Sequence, residues 1–443
     1  MVRLDANMSI DAALRMARER YVAKNPNSRL ANQAAQEIMP GGNTRSVLHF
    51  EPFPLTMVKG VDSKLFDVDG HSYIDFVGEY SAGLFGHSNP VIKAAIQEAL
   101  EVGTVIASPT RLETKLAEAV RARFPSMELI RFCNSGTEAN LMAVATAIAV
   151  TKRRKLLVFR EAYHGGVLVF ANGGGPLNVP FDYLLADYND VEGTRAVIRH
   201  DAKHLAAVIV EPILGAAGNI PGTHEFLNML REESERAGAF LIFDEVKTSR
   251  CGAGGVQGMM GIKPDLTTLG KYLGGGLPCG AFGGLKDVMA RYDHRDPHPF
   301  KHAGTFNNNV CSMMAGHAAL TKVFTAQKAD TFTTSCEEFR QNLNRDLAER
   351  RSPVRFSGFG SLITIHFARV PINTPRDIPP VSKKLGQLFH MESLLRSVLI
   401  AARGDIFISL PVTAAQLQTL RDGVLTFVED YSVLIERELS EQT

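Results

Sequence analysis

Five apolar segments of the chain share one pattern, because a polar or aromatic side chain closely follows each of them. None of these segments alternates between apolar and polar positions, and stretches with helical periodicity separate them. Continuous apolar strands that alternate with helices are typical of a mostly parallel sheet covered on both faces. The pattern therefore predicts an α/β fold. The side chains that follow the five strands are Asn134, Tyr163, Glu211, Asp244 and Lys271.

The ends of these strands are also where a ligand is expected. In open α/β sheets, ligands bind outside the carboxyl ends of the strands. The five residues are far apart in the sequence, but they are all predicted to lie at this one edge of the sheet. We therefore expect them to meet in a single site.

Asp244 and Lys271 indicate the chemistry of that site. An acid at one strand end and a lysine at a later one suit a cofactor that carries a basic ring nitrogen and an aldehyde, which describes pyridoxal phosphate (PLP). The carboxylate would keep the ring nitrogen protonated, and the lysine would form a Schiff base with the aldehyde. Lys247 is a rival lysine, but it directly follows the strand of Asp244 and is expected beside the ring edge.

Three further features have two interpretations each. The strand–turn–helix junction at Ser135-Gly-Thr137 suits a phosphate, because amide groups at the start of a helix are unpaired and its dipole end is positive. The same residues also suit a plain helix cap. Tyr163 could stack on a flat ring or pack in its loop. Arg45, after Pro40-Gly-Gly, is either a carboxylate clamp or a solvated loop arginine.

The 443-residue length predicts more than one structural unit. Residues 1–75 are expected to form a helix and a small antiparallel meander that belong to a small domain. Residues 76–324 would be the large PLP-binding domain, and residues 325–443 would supply the α+β remainder of the small domain. We identify no repeat and no low-complexity segment.

Composition and motifs argue against several classes of protein. The formal charge of +1 gives no reason to expect nucleic acid or an anionic membrane as a partner. Five scattered cysteines without a CxxC pair favour neither disulfides nor zinc, and no metal site is expected. The N-terminus lacks the features of a targeting signal, so a cytoplasmic location is expected. Lys271 precedes glycines 274–276, whereas a Walker lysine follows its glycines, so a nucleotide-binding module is a weaker alternative.

Together, several motifs resemble the class III PLP-dependent aminotransferases of fold type I. The resemblance runs from Pro40-Gly-Gly to Ser409-Leu-Pro. It implies a large domain with a mostly parallel seven-stranded sheet, a small α+β domain from the two termini, and PLP as the cofactor. The matching motifs are Asn134-Ser-Gly-Thr-Glu-Ala, Tyr163-His-Gly, Val210-Glu-Pro, Asp244-Glu-Val, Thr267-Thr-Leu-Gly-Lys and Ala303-Gly-Thr-Phe.

The resemblance also implies residue roles. Lys271 would bond to the cofactor and move the proton during the reaction, and Asp244 would pair with the ring nitrogen. Val246 and Tyr163 would enclose the ring, and His164 and Glu211 would also belong to the cofactor site. Thr305 would reach the phosphate of a neighbouring subunit, which implies a homodimer with shared active sites. The residues implied to bind the phosphate within the subunit are Ser135, Gly136 and Thr137.

Within the class, the chain is similar to the β-amino acid aminotransferases, typified by β-phenylalanine aminotransferase, and is related to glutamate-1-semialdehyde 2,1-aminomutase. The motifs that favour the first branch are Gly41-Gly-Asn-Thr-Arg, Asp244-Glu-Val-x-Thr-Ser-Arg and Arg403-Gly. In that branch, arginines matching Arg45 and Arg403 bind the carboxylates of the β-amino acid and of a 2-oxo acid. The implied reaction moves an amino group from a β-amino acid, for example an aromatic one, to 2-oxoglutarate or pyruvate.

Two positions depart from the pattern of the resemblance. Lys247 stands where both branches carry methionine, and Asp405 closely follows Arg403, where it is placed to pair with that arginine and weaken its grip on a substrate. The alternatives left open are therefore the aminomutase, which is an isomerase, and an amine transaminase for bulky ketones.

Overall fold

The computed structural model describes residues 8–441, and residues 1–7, where the N-terminal segment was predicted to begin, lie outside it. The helices are α1 (Ile10–Lys24), α2 (Pro26–Gln36), α3 (Pro90–Val102), α4 (Arg111–Arg123), α5 (Gly136–Thr151), α6 (Val191–Asp201), α7 (His224–Ala237), α8 (Gly255–Met260), α9 (Lys286–Met289), α10 (Val310–Ala318), α11 (Ala326–Glu349), α12 (Ser382–Leu395), α13 (Ala414–Asp430) and α14 (Ser432–Ser440).

The strands belong to four sheets, of which one has seven strands. They are β1 (Met57–Val61), β2 (Lys64–Asp67), β3 (Ser72–Asp75), β4 (Leu129–Cys133), β5 (Lys155–Phe159), β6 (Asp182–Ala186), β7 (Leu205–Val210), β8 (Ile213–Leu214), β9 (Ile220–Pro221), β10 (Phe240–Asp244), β11 (Leu266–Leu269), β12 (Gly280–Gly284), β13 (Val354–Phe359), β14 (Leu362–Phe367), β15 (Val398–Leu399) and β16 (Asp405–Phe407).

The seven-stranded sheet confirms the predicted α/β fold. Its strand order is β4-β12-β11-β10-β7-β5-β6, and the pairings from β11 through β10, β7 and β5 to β6 are parallel. Strand β12 is antiparallel to both of its neighbours. Every residue of β7 is buried, as expected for a central strand that is covered on both faces.

Strand β12, with the sequence Gly280-Ala-Phe-Gly-Gly284, was not assigned individually from the sequence. The packing explains its glycines. A Cβ on Gly283 would lie 2.4 Å from the carbonyl oxygen of Leu129, and one on Gly284 would lie 2.0 Å from that of Asp265. Close approach of the neighbouring backbone therefore requires glycine in this strand.

Two of the other sheets, β1-β2-β3-β15 and β13-β14-β16, are formed by strands nearer the two ends of the described chain. Strands β1, β2 and β3 form the predicted antiparallel meander, which β15 extends with a parallel pairing to β3. One apolar cluster contains residues from both ends of the described chain, including Ile10, Leu14, Leu388 and Phe427. This cluster agrees with a small domain built from both termini, and the exact domain borders stay a prediction. Within residues 8–441, no helix combines the length and apolar character needed to cross a bilayer.

Candidate active site

The strand ends of the large sheet bring the predicted residues together. Glu211 follows β7 and its Oε1 accepts a hydrogen bond of 2.9 Å from the backbone amide of Tyr163, which follows β5. Asp244 ends β10, and Lys271 follows the neighbouring strand β11. Asn134, after β4, lines a cavity of about 1120 Å³ together with Lys271. The five residues thus lie at one edge of the sheet, as expected, and their function as a single site stays a prediction.

Asp244 is buried and held in place by a set of polar contacts. Its Oδ2 lies 2.8 Å from Nδ1 of His164 and accepts a hydrogen bond of 2.7 Å from the Asn140 side chain. Its Oδ1 accepts a hydrogen bond of 3.0 Å from the amide of Val246. The carboxylate is thus fixed in position at the end of its strand, as a partner for a cationic ring nitrogen must be.

Asn140 is a site residue that the sequence analysis missed. Its amide nitrogen also donates to the carbonyl of His164 at 2.9 Å, and its Oδ1 accepts a hydrogen bond of 2.6 Å from the Thr268 hydroxyl. Helix α5 is otherwise almost entirely apolar, so a buried asparagine in its second turn was the available signal. Buried polar groups need partners, and the partner of this one is the active-site acid.

Lys271 adopts a left-handed backbone conformation, with φ of 56°, which is unusual for a residue other than glycine. Its Nζ donates a hydrogen bond of 3.2 Å to the carbonyl oxygen of Tyr80. Burial lowers the pKa of Lys271 to about 8, although the nearby Asp244 and Glu211 favour its charged form. A lysine with a lowered pKa has a larger neutral fraction near pH 7, which makes it a better nucleophile.

The N-terminus of α5 has features of both a helix cap and an anion-binding site, the two interpretations of its sequence. Ser135 caps the helix, because its hydroxyl accepts a hydrogen bond of 3.1 Å from the amide of Glu138. Within residues 8–441, the amides of Gly136 and Thr137 donate to no protein acceptor, so they remain able to bind an anion. A Cβ on Gly136 would lie 2.6 Å from the side chain of Val246. Glycine is therefore needed where the start of this helix packs against the residues that follow β10.

Tyr80 lies in an unusual turn. Residues 78–81 all have positive φ, and three of the four are not glycine. Such a conformation costs roughly 1–2 kcal/mol for each non-glycine residue. The buried side chain of Arg250 supports the turn, because its Nη1 donates a hydrogen bond of 2.9 Å to the carbonyl oxygen of Ser81. The turn presents the Tyr80 carbonyl to Lys271.

The two predicted carboxylate-binding arginines lie on the Tyr80 side chain. The guanidinium carbons of Arg45 and Arg403 are each 5.6 Å from the centre of the Tyr80 ring. Each arginine also has an acidic neighbour, because Arg45 pairs with Glu79 and Arg403 pairs with Asp405. The expected pairing of Arg403 with Asp405 is therefore confirmed.

Lys247 is buried, and its ammonium contacts residues 215 and 219. Its Nζ donates to Oδ1 of Asn219 at 2.5 Å and to the carbonyl oxygen of Gly215 at 3.3 Å, and it lies 4.8 Å from the centre of the Phe407 ring. Burial lowers its pKa to about 7. Lys247 therefore has protein acceptors of its own, and its expected place beside the ring edge stays a prediction.

The sequence predicted that His164 and Thr305 belong to a cofactor site, but it did not predict which groups they contact. His164 is buried and its Nδ1 contacts Asp244, so it lies behind the acid as a support. Thr305 is exposed in a loop before α10 and has no hydrogen bond to the other predicted site residues. Its expected role, toward a second subunit, stays a prediction.

The donor groups of this site fit PLP. Asp244 supplies a fixed carboxylate for the ring nitrogen, and Lys271 supplies an amine with a lowered pKa for the aldehyde. The amides of Gly136 and Thr137 offer hydrogen bonds to a phosphate. Tyr163 is 46% exposed and is free to lie against a ring. The ring nitrogen, the aldehyde, the phosphate and the ring face of PLP thus each have a suitable partner among these residues.

Comparison with known proteins identifies the family. The family described as Aminotransferase class-III matches residues 48–387. A β-phenylalanine transaminase of Variovorax paradoxus is 44% identical over 97% of this chain and 99% of its own length. A glutamate-1-semialdehyde 2,1-aminomutase of Alkaliphilus metalliredigens is 33% identical over 90% of this chain and 97% of its own length.

A solved structure agrees with these sequence relationships. The crystal structure of a β-phenylalanine aminotransferase from Variovorax paradoxus superposes with a TM-score of 0.95 at 44% identity, covering 96% of this chain and 99% of that one. The fold, the candidate cofactor site and the sequence similarity thus all agree with membership in one family. The chain belongs to the class III aminotransferases, and its cofactor is pyridoxal phosphate.

Proposed function

We propose that this enzyme transfers the amino group of a β-amino acid, such as an aromatic one, to a 2-oxo acid such as 2-oxoglutarate or pyruvate. The observation that carries the proposal is the position of two arginines around Tyr80. Both guanidinium carbons lie 5.6 Å from its ring, and its backbone carbonyl accepts a hydrogen bond from Lys271. Two carboxylate-binding groups therefore flank one side chain beside the reactive amine.

The two arginines suit the two half-reactions of a transaminase. We assign the carboxylate of the β-amino acid to Arg45 and that of the 2-oxo acid to Arg403. Planar guanidinium groups bind carboxylates through two parallel hydrogen bonds, so each arginine orients its substrate as well as attracting it. The ring of Tyr80 supplies an apolar surface between the two arginines for the side chain of the donor. The similarity to a β-phenylalanine transaminase supports this assignment.

The protein supplies binding groups and a proton carrier. PLP, when bound, provides an aldehyde for the amino group and a ring that accepts electron density from the substrate carbon. Asp244 keeps the ring nitrogen protonated, with His164 and Asn140 holding its carboxylate. Lys271 is the residue that would carry the proton taken from the substrate carbon. The lowered pKa of Lys271 suits a group that must both accept and release a proton near neutral pH.

We also propose a homodimer whose active sites use Thr305 of the second copy. Thr305 is exposed, and the neighbouring Phe306 is 57% exposed, so this loop lies at the surface where a second copy can contact it. Mixing Lys271→Ala and Thr305→Val subunits tests the sharing. Restored activity in the mixed sample, with neither variant active alone, supports shared sites, whereas no gain above the separate variants contradicts them.

A panel of donors and acceptors tests the proposed reaction. We expect continued turnover of β-amino acids only when a 2-oxo acid is present, because the 2-oxo acid must return the cofactor to its aldehyde form after each amino transfer. Turnover of glutamate-1-semialdehyde without any added acceptor would identify the enzyme as an aminomutase instead. Turnover of amines that lack a carboxylate, with unchanged activity after Arg45→Ala, would identify an amine transaminase.

A further inference from the structure

Lys247 and Arg403 are connected through a buried hydrogen-bond network. Lys247 Nζ donates to Oδ1 of Asn219 at 2.5 Å. The amide nitrogen of the same Asn219 lies 3.3 Å from Oδ1 of Asp405, which also accepts a hydrogen bond of 2.6 Å from Thr364. The other oxygen of Asp405 pairs with Nε of Arg403. One carboxylate thus lies between two cationic side chains.

Asp405 is fully buried, so its charge needs compensation from within the protein. Burial by itself raises the pKa of Asp405, but the charges of Arg403 and Lys247, together with hydrogen bonds from Thr364 and Arg403, outweigh burial and hold this pKa below its usual range. If Arg403 alone compensated the carboxylate of Asp405, the two side chains together would have no net charge. The ammonium of Lys247 is a second cation nearby, so Lys247, Asp405 and Arg403 together have one net positive charge.

The contact between Arg403 and Asp405 involves only one of the three guanidinium nitrogens of Arg403. The bond to Asp405 involves Nε, and within residues 8–441 the terminal nitrogens of Arg403 donate to no protein acceptor. The side chain is 40% exposed. Its outer end can therefore still form the paired hydrogen bonds that a carboxylate accepts.

We propose that Lys247 determines how tightly the enzyme binds its 2-oxo acid. The ammonium, acting through Asn219, compensates the charge of Asp405, and this leaves the charge of Arg403 available for the substrate carboxylate. Lys247 is a positioning residue, because Arg403 makes the contact with substrate. This inference rests on the proposed role of Arg403 as the carboxylate-binding residue.

Packing alone does not explain a lysine at this position. An apolar side chain of similar length would fill the space over the Phe407 ring without any charge to desolvate. The lysine instead places its ammonium at the start of a polar chain that ends on Arg403. The position of the charge, and not only the volume of the side chain, is therefore the feature that needs a function.

The inference also predicts a dependence on pH. Burial lowers the pKa of Lys247 to about 7, so its charge, and with it the binding of a carboxylate, declines as the pH rises from 6 to 8. Lys271 titrates nearby, with its pKa lowered to about 8, and its nitrogen still binds and releases a proton when it is bonded to PLP. Lys247→Arg leaves Lys271 unchanged, so the comparison of its pH series with that of the wild type isolates the contribution of Lys247. The other titratable or charged groups around the network are Asp405, Arg403, Glu211 and His366, the last beside Gly218.

The experiment measures the binding of glutarate to the PLP-loaded enzyme by calorimetry, because glutarate has carboxylates but no amino or keto group to react. We expect Lys247→Met to raise the glutarate dissociation constant about tenfold, which is typical of coupling within one hydrogen-bond network. Lys247→Arg should keep tight binding and abolish the weakening between pH 6 and 8. The double variant Lys247→Met/Asp405→Asn should bind as tightly as the wild type, because the uncompensated acid is gone.

Controls separate this inference from the proposed function. Lys263→Met removes an exposed lysine elsewhere and should leave binding unchanged. If Arg403→Leu leaves the glutarate dissociation constant unchanged, the role of Arg403 is wrong and the inference fails with it. If Arg403→Leu weakens binding but Lys247→Met does not, only the inference is wrong. If Lys247→Met does not fold, the pH series decides: an unchanged pH dependence in Lys247→Arg overturns the inference.

Discussion

Nδ1 of His164 lies 2.8 Å from Oδ2 of Asp244, and both side chains are almost completely buried. The histidine follows β5, whereas the acid ends β10, so the contact joins two separate strands of the sheet. Asn140 of α5 contacts the same oxygen. The position of the Asp244 carboxylate is therefore set by the loop after β5 and by helix α5 as well as by its own strand, β10.

Replacement of Asp244 by asparagine is expected to lower kcat at least about 100-fold, because a neutral amide does not stabilise a protonated ring nitrogen. The measurement is kcat with a β-amino acid and 2-oxoglutarate, together with the absorbance of bound PLP. Asp182→Asn changes an exposed acid in β6 and serves as the matched control. Full activity of Asp244→Asn with bound PLP would contradict the assigned role.

Replacement of Asn140 by alanine is expected to have a smaller effect, a decrease in kcat of about tenfold, because one of the contacts to Asp244 is lost while the acid remains. The measurement compares kcat for Asn140→Ala and for Asn140→Ala/Asp244→Asn. Since the asparagine acts through the acid, the second substitution should remove most of the effect of the first. Independent, multiplying effects would show that Asn140 does not act through Asp244.

Much of this site could be predicted from the sequence, because strand ends in a parallel sheet are brought together by the fold itself. Asp244, Lys271, Glu211 and Tyr163 are examples, since each follows an apolar strand. Residues that reach the site from other elements could not be placed in this way. Asn140 depends on the packing of α5 against the sheet, and no local sequence signal assigns its partner.

Two features near Arg45 and Arg403 were harder to predict: the turn at residues 78–81 and the link between Lys247 and Asp405. The left-handed turn at residues 78–81 has only one glycine, and its conformation is held by tertiary contacts such as that of Arg250 with Ser81. The link between Lys247 and Asp405 passes through Asn219, which no motif singles out. Both features come from residues that are distant in sequence, and so the local pattern contains little information about them.

Replacement of Arg45 by alanine is expected to raise the KM of a β-amino acid donor about 100-fold while changing the KM of the 2-oxo acid much less, since a charged hydrogen-bonded contact contributes roughly 1.5–3 kcal/mol. The measurement is a full steady-state analysis with both substrates varied. Arg403→Ala should give the reverse pattern. Equal effects of both substitutions on both substrates would contradict the division of roles.

Replacement of Arg250 by leucine is expected to reduce the free energy of unfolding by about 3 kcal/mol, because buried acceptors lose a charged donor. The arginine donates to the carbonyl oxygen of Ser81 at 2.9 Å and to the Ser361 hydroxyl at 2.9 Å, and also to the carbonyl of Ile408. Thermal and denaturant unfolding of the holoenzyme measure the change. Arg154→Leu, at an exposed ion pair, should change stability by less than about 1 kcal/mol.

The last prediction concerns the uptake of PLP by cofactor-free enzyme. Burial lowers the pKa of Lys271 to about 8, and the reacting form of an amine is the neutral one. The uptake rate should therefore rise about tenfold per pH unit below this pKa and level off above it. Stopped-flow absorbance between pH 6 and 9 measures the rate.

Two variants test whether Lys271 is the amine that reacts. Lys271→Ala should form no adduct that borohydride can trap, because the reacting amine is gone. Lys247→Arg should keep the same pH profile, since Lys247 already donates to Asn219 and Gly215. A borohydride-trapped adduct in Lys271→Ala would assign the reactive amine to another residue, and a rate that is independent of pH in the wild type would contradict the predicted titration of Lys271.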